Sequence, residues 1–150
     1  MMRKTEYCKL HHIQLEVWII QKIILHTNIL PALLPNLTSP NPETVAMTCS
    51  ALGSLARSMS NLDFLESCRG IEMMIALLDH SDMDVLHVVT GALGNVAASE
   101  KHRHILQTED GIEKLLDVFE FGIGKSIELV ILVCRTLYNF GYDAIYYEVG

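Results

Sequence analysis

The sequence repeats itself. Moving residues 30–70 forward by 41 positions lays them without a gap on 71–111, and apolar falls on apolar. Leu30 meets Ile71 and then Ile112, and Leu33 meets Met74 and Leu115. Leu34 meets Ile75 and Leu116, and Leu37 meets Leu78 and Phe119. Further on, Met47 pairs with Val88, Ala51 with Ala92, Leu52 with Leu93, Ala56 with Ala97 and Gly70 with Gly111. A period in the forties with helical spacing is the pattern of a stacked helical solenoid, where no unit buries its apolar face alone. The expected fold class is all-α, a right-handed α-solenoid of about three units with three helices each. The functional question moves from catalysis to binding.

The middle unit shows the three pieces. Leu62, Phe64 and Leu65 suit a short first helix that ends at Gly70. Ile71, Met74, Ile75 and Leu78 follow the i, i+3, i+4, i+7 spacing of a second helix with one buried stripe. Asp79-His80-Ser81-Asp82 is a polar break, with Ser81 or Asp82 placed to cap the next helix. Val85, Val88, Val89, Ala92, Leu93, Val96 and Ala97 then give a longer third helix, apolar on most sides. Gly70 and Gly111 stand where the chain turns between first and second helices, and a left-handed position there would favour glycine. In the last unit the third helix is offset by 44, so that Leu93 maps to Leu137 and Asn95 to Asn139. The extra residues fall in Glu120–Lys125, where Gly122 and Gly124 mark a loop.

Half of the residues are hydrophobic, 19% are charged and the net charge is −7. With a pI near 5.4, the chain lacks the positive charge that nucleic acid and anionic membrane surfaces reward, so neither is expected as a partner. No apolar run reaches the ~18 residues of a spanning helix. The four cysteines, Cys8, Cys49, Cys68 and Cys134, form no C-x-x-C pair and read as buried, reduced thiols of a cytoplasmic protein.

The repeats resemble those of the armadillo family. Its glycine corner and second helix are matched by Gly70-Ile71 through Leu78 and Gly111-Ile112 through Phe119. In the first unit the match is Leu30-Pro31-Ala32-Leu33-Leu34. Its third-helix signature is matched by Ala51-Leu52-Gly53-Ser54-Leu55-Ala56, by Ala92-Leu93-Gly94-Asn95-Val96-Ala97 and by Thr136-Leu137-Tyr138-Asn139-Phe140-Gly141. HEAT repeats, the nearest competitor, lack the glycine-separated short first helix. The resemblance implies a non-enzymatic scaffold that binds an extended peptide or another subunit along a concave groove of third helices. Within the family it is closest to armadillo proteins of cilia and flagella, which implies an adaptor there.

Carried over by position, the family's ligand-gripping asparagine is Asn95 and Asn139, with Ser54 at that place in the first unit. A carboxamide donates and accepts at once, as a peptide backbone requires. Arg135 lies one turn earlier on the same face, Arg57 and Tyr142 one turn later, and His87 two turns earlier. Import receptors of this fold carry a tryptophan four residues before the asparagine. Gly91 and Arg135 stand there instead, which disfavours a transport receptor.

An enzyme is the competing class. His102 and His104 flank Arg103, but alternate residues of a helix point to different faces and chelate poorly. Asp82 and Asp84 sit at a helix start, where capping and the dipole account for them. No nucleophile elbow, P-loop or zinc motif occurs, so neither catalysis, cofactor nor metal is expected. Residues 1–21 read as a non-repeat extension, carrying His11 and His12 where the frame would place Leu and Gly. Residues 22–150 read as the repeat domain. Tyr142, Ile145, Tyr146 and Tyr147 make its end more apolar than a cap, so both ends are expected to adjoin further repeats of a longer array.

Overall fold

A computed structural model describes residues 14–16, 18–19 and 29–148, with side chains as far as Gly141. The expected boundary at residues 21/22, Cys8, His11 and His12, and the side chains of Tyr142, Ile145, Tyr146 and Tyr147 lie outside the described residues. The chain divides into two units, residues 1–32 and 33–150. In the first, Gln14–Glu16 and Trp18–Ile19 are helical and exposed.

Every regular element among the described residues is helical. Helix α1 (Ile29–Leu33) continues as a 3-10 turn over Leu34–Thr38. Helices α2 (Pro42–Leu55) and α3 (Met59–Ser67) follow. Helix α4 (Gly70–Ala76) tightens into a 3-10 turn over Leu77–Asp79. Then come α5 (Met83–Ala98), α6 (Arg103–Thr108), α7 (Gly111–Gly122) and α8 (Ile127–Glu148). None of them is long and apolar enough to cross a membrane.

The element starts keep the repeat. Second helices begin at Ile29, Gly70 and Gly111, each 41 residues from the last. Third helices begin at Pro42, Met83 and Ile127, the intervals being 41 and then 44. The added residues lengthen α7 to Gly122 and open a loop in which Gly124 takes φ +76°. The same position caps all three third helices. Asn41 Oδ1 accepts the Glu43 N–H at 2.9 Å, Asp82 Oδ1 accepts from Asp84 and Val85 at 3.0 and 3.1 Å, and Ser126 Oγ accepts from Leu129 at 3.2 Å. Each cap satisfies helix donors that have no partner within the helix, an effect of about 1 kcal/mol.

Third helices stack directly on one another, α2 on α5 and α5 on α8. Small residues at one face allow it. A Cβ added at Gly53 would lie 3.0 Å from Ala92 Cβ, and one added at Gly94 would lie 3.2 Å from Thr136 Oγ1. Behind that seam Leu52, Val89, Leu93 and Val133 are fully buried with Leu65, Ile71, Met74 and Leu115 of the shorter helices.

The corner glycines act differently from the sequence expectation. The left-handed residues are Arg69 (φ 60°) and Asp110 (φ 57°), one position earlier. Gly70 and Gly111 are needed for close approach instead. A Cβ at Gly111 would sit 2.7 Å from the Leu106 carbonyl oxygen, and one at Gly70 would sit 2.9 Å from Leu65 Cδ2. Leu65 and Leu106 are repeat equivalents, so each short first helix closes onto the glycine of its own corner.

The cysteines also depart from expectation. Cys49, Cys68 and Cys134 are free thiols, but only Cys49 is buried; Cys68 is half-buried and Cys134 exposed.

Candidate groove of the third helices

The third helices line two adjoining hollows. The smaller, about 280 Å³, is lined by Ser54, Arg57, Asn95 and Arg135, with Gly91 and Ala92 among its other walls. Four of the expected binding residues therefore meet at one place. The larger, about 890 Å³, is lined by His87 and by Glu43, Asp82, Asp84 and Glu128. Ser50 and Val88 border both hollows, so they form one groove.

Asn95 is fixed from below. Its Nδ2 donates to the Gly53 carbonyl of the preceding third helix at 2.9 Å. Its Oδ1 and second N–H make no hydrogen bond among the described residues, leaving an acceptor and a donor at the groove. The tie to α2 and a role toward a ligand are compatible. Beside it Gly91 leaves the floor bare, since a Cβ there would meet nothing within 4 Å.

The other expected residues are placed less uniformly. Ser54 is exposed, and its hydroxyl donates to Ser50 O of its own helix at 3.1 Å. Asn139 lines neither hollow; its Nδ2 reaches the Arg135 carbonyl at 3.4 Å, and its own carbonyl accepts from Arg103 Nη1 at 2.7 Å. His87 faces the larger hollow, yet both ring nitrogens are engaged within the protein. Nδ1 lies 3.1 Å from Met83 O and Nε2 lies 2.9 Å from Ser126 Oγ, which ties α5 to the cap of α8. A carbonyl only accepts, so the hydrogen-bond geometry assigns the proton to Nδ1. The side chain of Tyr142 lies outside the described residues.

Charge divides the groove. The guanidiniums of Arg57 and Arg135 are exposed and have no ion-pair partner among the described residues. The larger hollow holds four carboxylates and no Lys or Arg. Glu43, Asp84 and Glu128 occupy the same repeat position in the first turn of each third helix, where the helix dipole favours acid. That recurrence was visible in the sequence; the division of the groove needed the fold.

A second cluster lies away from the groove. His102, fully buried, sets Nδ1 at 2.7 Å from Ser99 Oγ and Nε2 at 2.9 Å from Asp63 Oδ1, with Glu66 Oε2 at 3.5 Å. Lys101 Nζ contacts the same Asp63 oxygen at 2.6 Å. The Lys101 hydrogen bond, with a smaller contribution from His102, holds the Asp63 carboxyl below the usual carboxylate range against the opposing effect of desolvation. The three ligand-type residues converge as a metal site would. The lysine ammonium already supplies the cation, so the cluster reads as a structural ion pair joining two turns. Its repeat equivalent is Asn61, also fully buried, whose Nδ2 donates to Leu55 O at 2.9 Å.

Stacked third helices, glycine-closed corners and an asparagine-floored groove define the armadillo class of right-handed α-solenoids. The chain belongs to that family: the armadillo/β-catenin-like repeat model matches residues 20–57. More particularly, it is similar to armadillo repeat-containing protein 2. It is 34% identical to the Bos taurus protein over 109 residues, covering 72% of this chain and 12% of the relative. With the Homo sapiens protein the figures are 32% over 108 residues, 72% and 12%. The chain thus spans about an eighth of the length of these curated relatives. Among solved structures, a designed armadillo repeat protein superposes with a TM-score of 0.66 at 18% identity, over 73% of this chain and 45% of that one. Another, in complex with the peptide (KR)4, gives a TM-score of 0.73 at 16% identity, over 79% and 49%.

Proposed function

We propose that the chain is a non-enzymatic interaction module that holds an extended segment of a protein partner across α2, α5 and α8. The observation that carries this reading is the open hollow over Gly91, lined by Asn95, whose second donor and acceptor have no partner among the described residues, and by two guanidiniums without an ion-pair partner among those residues. The designed armadillo repeat protein in complex with the peptide (KR)4 supports it, since a protein of this fold there binds a peptide. Each backbone hydrogen bond contributes only about 0.5–1.5 kcal/mol net, so several contacts must act together. The setting we propose is the reducing cytoplasm, with an adaptor role in a cilium or flagellum.

Gly91→Trp tests the reading. The new side chain has room at its root, so the fold is retained, but the indole fills the hollow. Peptides selected by display on the wild-type protein should lose binding to the variant. Equal binding to both would remove the groove from the function.

A second reading rests on α8. Ile127 (66% exposed), Ile131 (49%) and Tyr138 (64%) form a stripe with Cys134 on the face that α2 and α5 use to receive the next third helix. Another helical repeat stacked there would make the chain a segment of a longer array. Partner capture lost with Ile131→Asp but kept with Gly91→Trp would favour that reading over the groove.

A further inference from the structure

The chemistry of the groove's occupant is set by where the two guanidiniums stand, and rests on the proposal that an extended chain crosses the third helices at Asn95. A strand sends its backbone N–H and C=O groups along one direction and its side chains alternately to either side of it. With the backbone turned down to the Asn95 carboxamide, the side chains point alternately toward the N-terminal and C-terminal ends of the third helices. The asparagine row runs through Ser54, Asn95 and Asn139. Arg57 lies three residues beyond that row, just after α2, and Arg135 lies four residues before it on α8. The Cα positions of the two arginines therefore flank the row on opposite sides, displaced by roughly 4–6 Å along the helix axes. Arg135 stands on α8 and Arg57 just past the end of α2, with α5 between those two helices.

Neither guanidinium is neutralised within the described residues, and no carboxylate lines the hollow they share with Asn95. An anionic guest is held there and repelled from the adjoining hollow, whose rim carries Glu43, Asp82, Asp84 and Glu128. The outer helices are two interaxial distances apart, about 16–20 Å, or roughly five to six residues of extended chain. Because the arginines stand on opposite sides, they address side chains of opposite parity, which selects the odd spacing. We infer that the groove takes an extended segment bearing two carboxylates at i and i+5, one for Arg57 and one for Arg135.

Fluorescence anisotropy with labelled Ser/Thr peptides tests this. One peptide carries Glu at i and i+5; others carry the pair at i+4 or i+6, Gln in both places, or Lys in both places. The i+5 peptide should bind tightest, with losses of about tenfold in Kd for the even spacings and for Gln, the scale of one charge-assisted contact. Arg57→Gln and Arg135→Gln should each weaken that peptide and remove its advantage over the even spacings. Even spacings that bind as well, or a Lys peptide that binds better, would overturn the inference while leaving the groove in use, provided Gly91→Trp still blocks them. Peptides that bind equally well to Gly91→Trp, or none that bind at all, would sink the groove reading together with this one.

Discussion

Helices α5 and α8 carry one repeat pattern and meet different fates. On the face turned toward the next unit, α5 presents Met83, His87, Thr90 and Gly94, and α8 presents Ile127, Ile131, Cys134 and Tyr138 at the matching positions. On α5, where α8 arrives, His87 is hydrogen-bonded and Thr90 and Gly94 are small. Thr90 is fully buried, its carbonyl lies 3.4 Å from Thr136 Oγ1, and His87 reaches the cap of α8. On α8 the residues at those positions are exposed. The asparagines divide likewise: Asn95 is anchored on Gly53 of the preceding helix, whereas Asn139 turns to its own helix. What a repeat position does is set by whether a neighbour covers it, and only secondarily by the residue placed there.

Thiol chemistry should show that contrast most strongly. Cys49 of α2, Thr90 of α5 and Cys134 of α8 are one repeat position. Cys49 lies under the covering helix, where burial pushes its thiol up to about 12. Only the thiolate is nucleophilic. Burial and the raised thiol pKa together predict much slower iodoacetamide alkylation at Cys49 than at exposed Cys134. Mass spectrometry of the native protein reads the two sites separately. Comparable rates would mean that α5 does not cover α2.

Two glycines of the third helices should give effects of opposite sign. Gly53→Ala drives a methyl to 3.0 Å from Ala92 Cβ and 3.2 Å from Ala92 Cα, contacts that are relieved only by separating α2 from α5. A loss of about 1–3 kcal/mol is expected. Gly91→Ala enters empty space on the groove side and removes the helical cost of glycine, a gain of about 0.5–1 kcal/mol. Denaturant midpoints of the two variants should move in opposite directions. A neutral Gly53→Ala would show that α2 and α5 can part without loss, against the close seam between them.

Much of this was legible in the sequence for a physical reason. Apolar spacing, polar breaks and cap residues act locally, so the 41-residue frame, the inserted loop before Ile127 and a cap at Ser81 or Asp82 could be read from residues alone, the structure giving it to Asp82. The corner glycines were located correctly but explained wrongly, because glycine answers equally to a positive φ and to a close approach. Only the fold shows Arg69 and Asp110 taking the left-handed turn. Cys49 and Cys134 look alike in the sequence because their difference lies in the neighbour. The meeting of His102 with Asp63 and Glu66 was missed because it joins residues of two turns, about one repeat apart. The convergence of Ser54, Arg57, Asn95 and Arg135 was anticipated by carrying repeat positions into register, and the groove puts them in one hollow.

The smallest effect is expected at the corner after α5. There Lys101 and His102 reach back to Asp63 of α3, so the covered helix also has a fastened end. Asp63 has a lowered folded-state pKa, with the Lys101 hydrogen bond as the largest cause. A carboxyl of this kind adds stability above its unfolded value, about 3.9. That contribution is lost as pH falls through the lower folded value. The wild-type protein should therefore lose stability more steeply than Asp63→Asn below about pH 4. Because the carboxyl is solvent-facing, screening keeps the difference slight. Lys101→Met removes the first cause while leaving the His102 contact, and the Asp63 titration midpoint, followed by carboxyl carbon NMR shifts, should rise toward the ordinary carboxylate value. An unchanged midpoint in Lys101→Met would mean that the ammonium does not hold Asp63. The fastening of α5 to α3 would then rest on the His102–Asp63 contact.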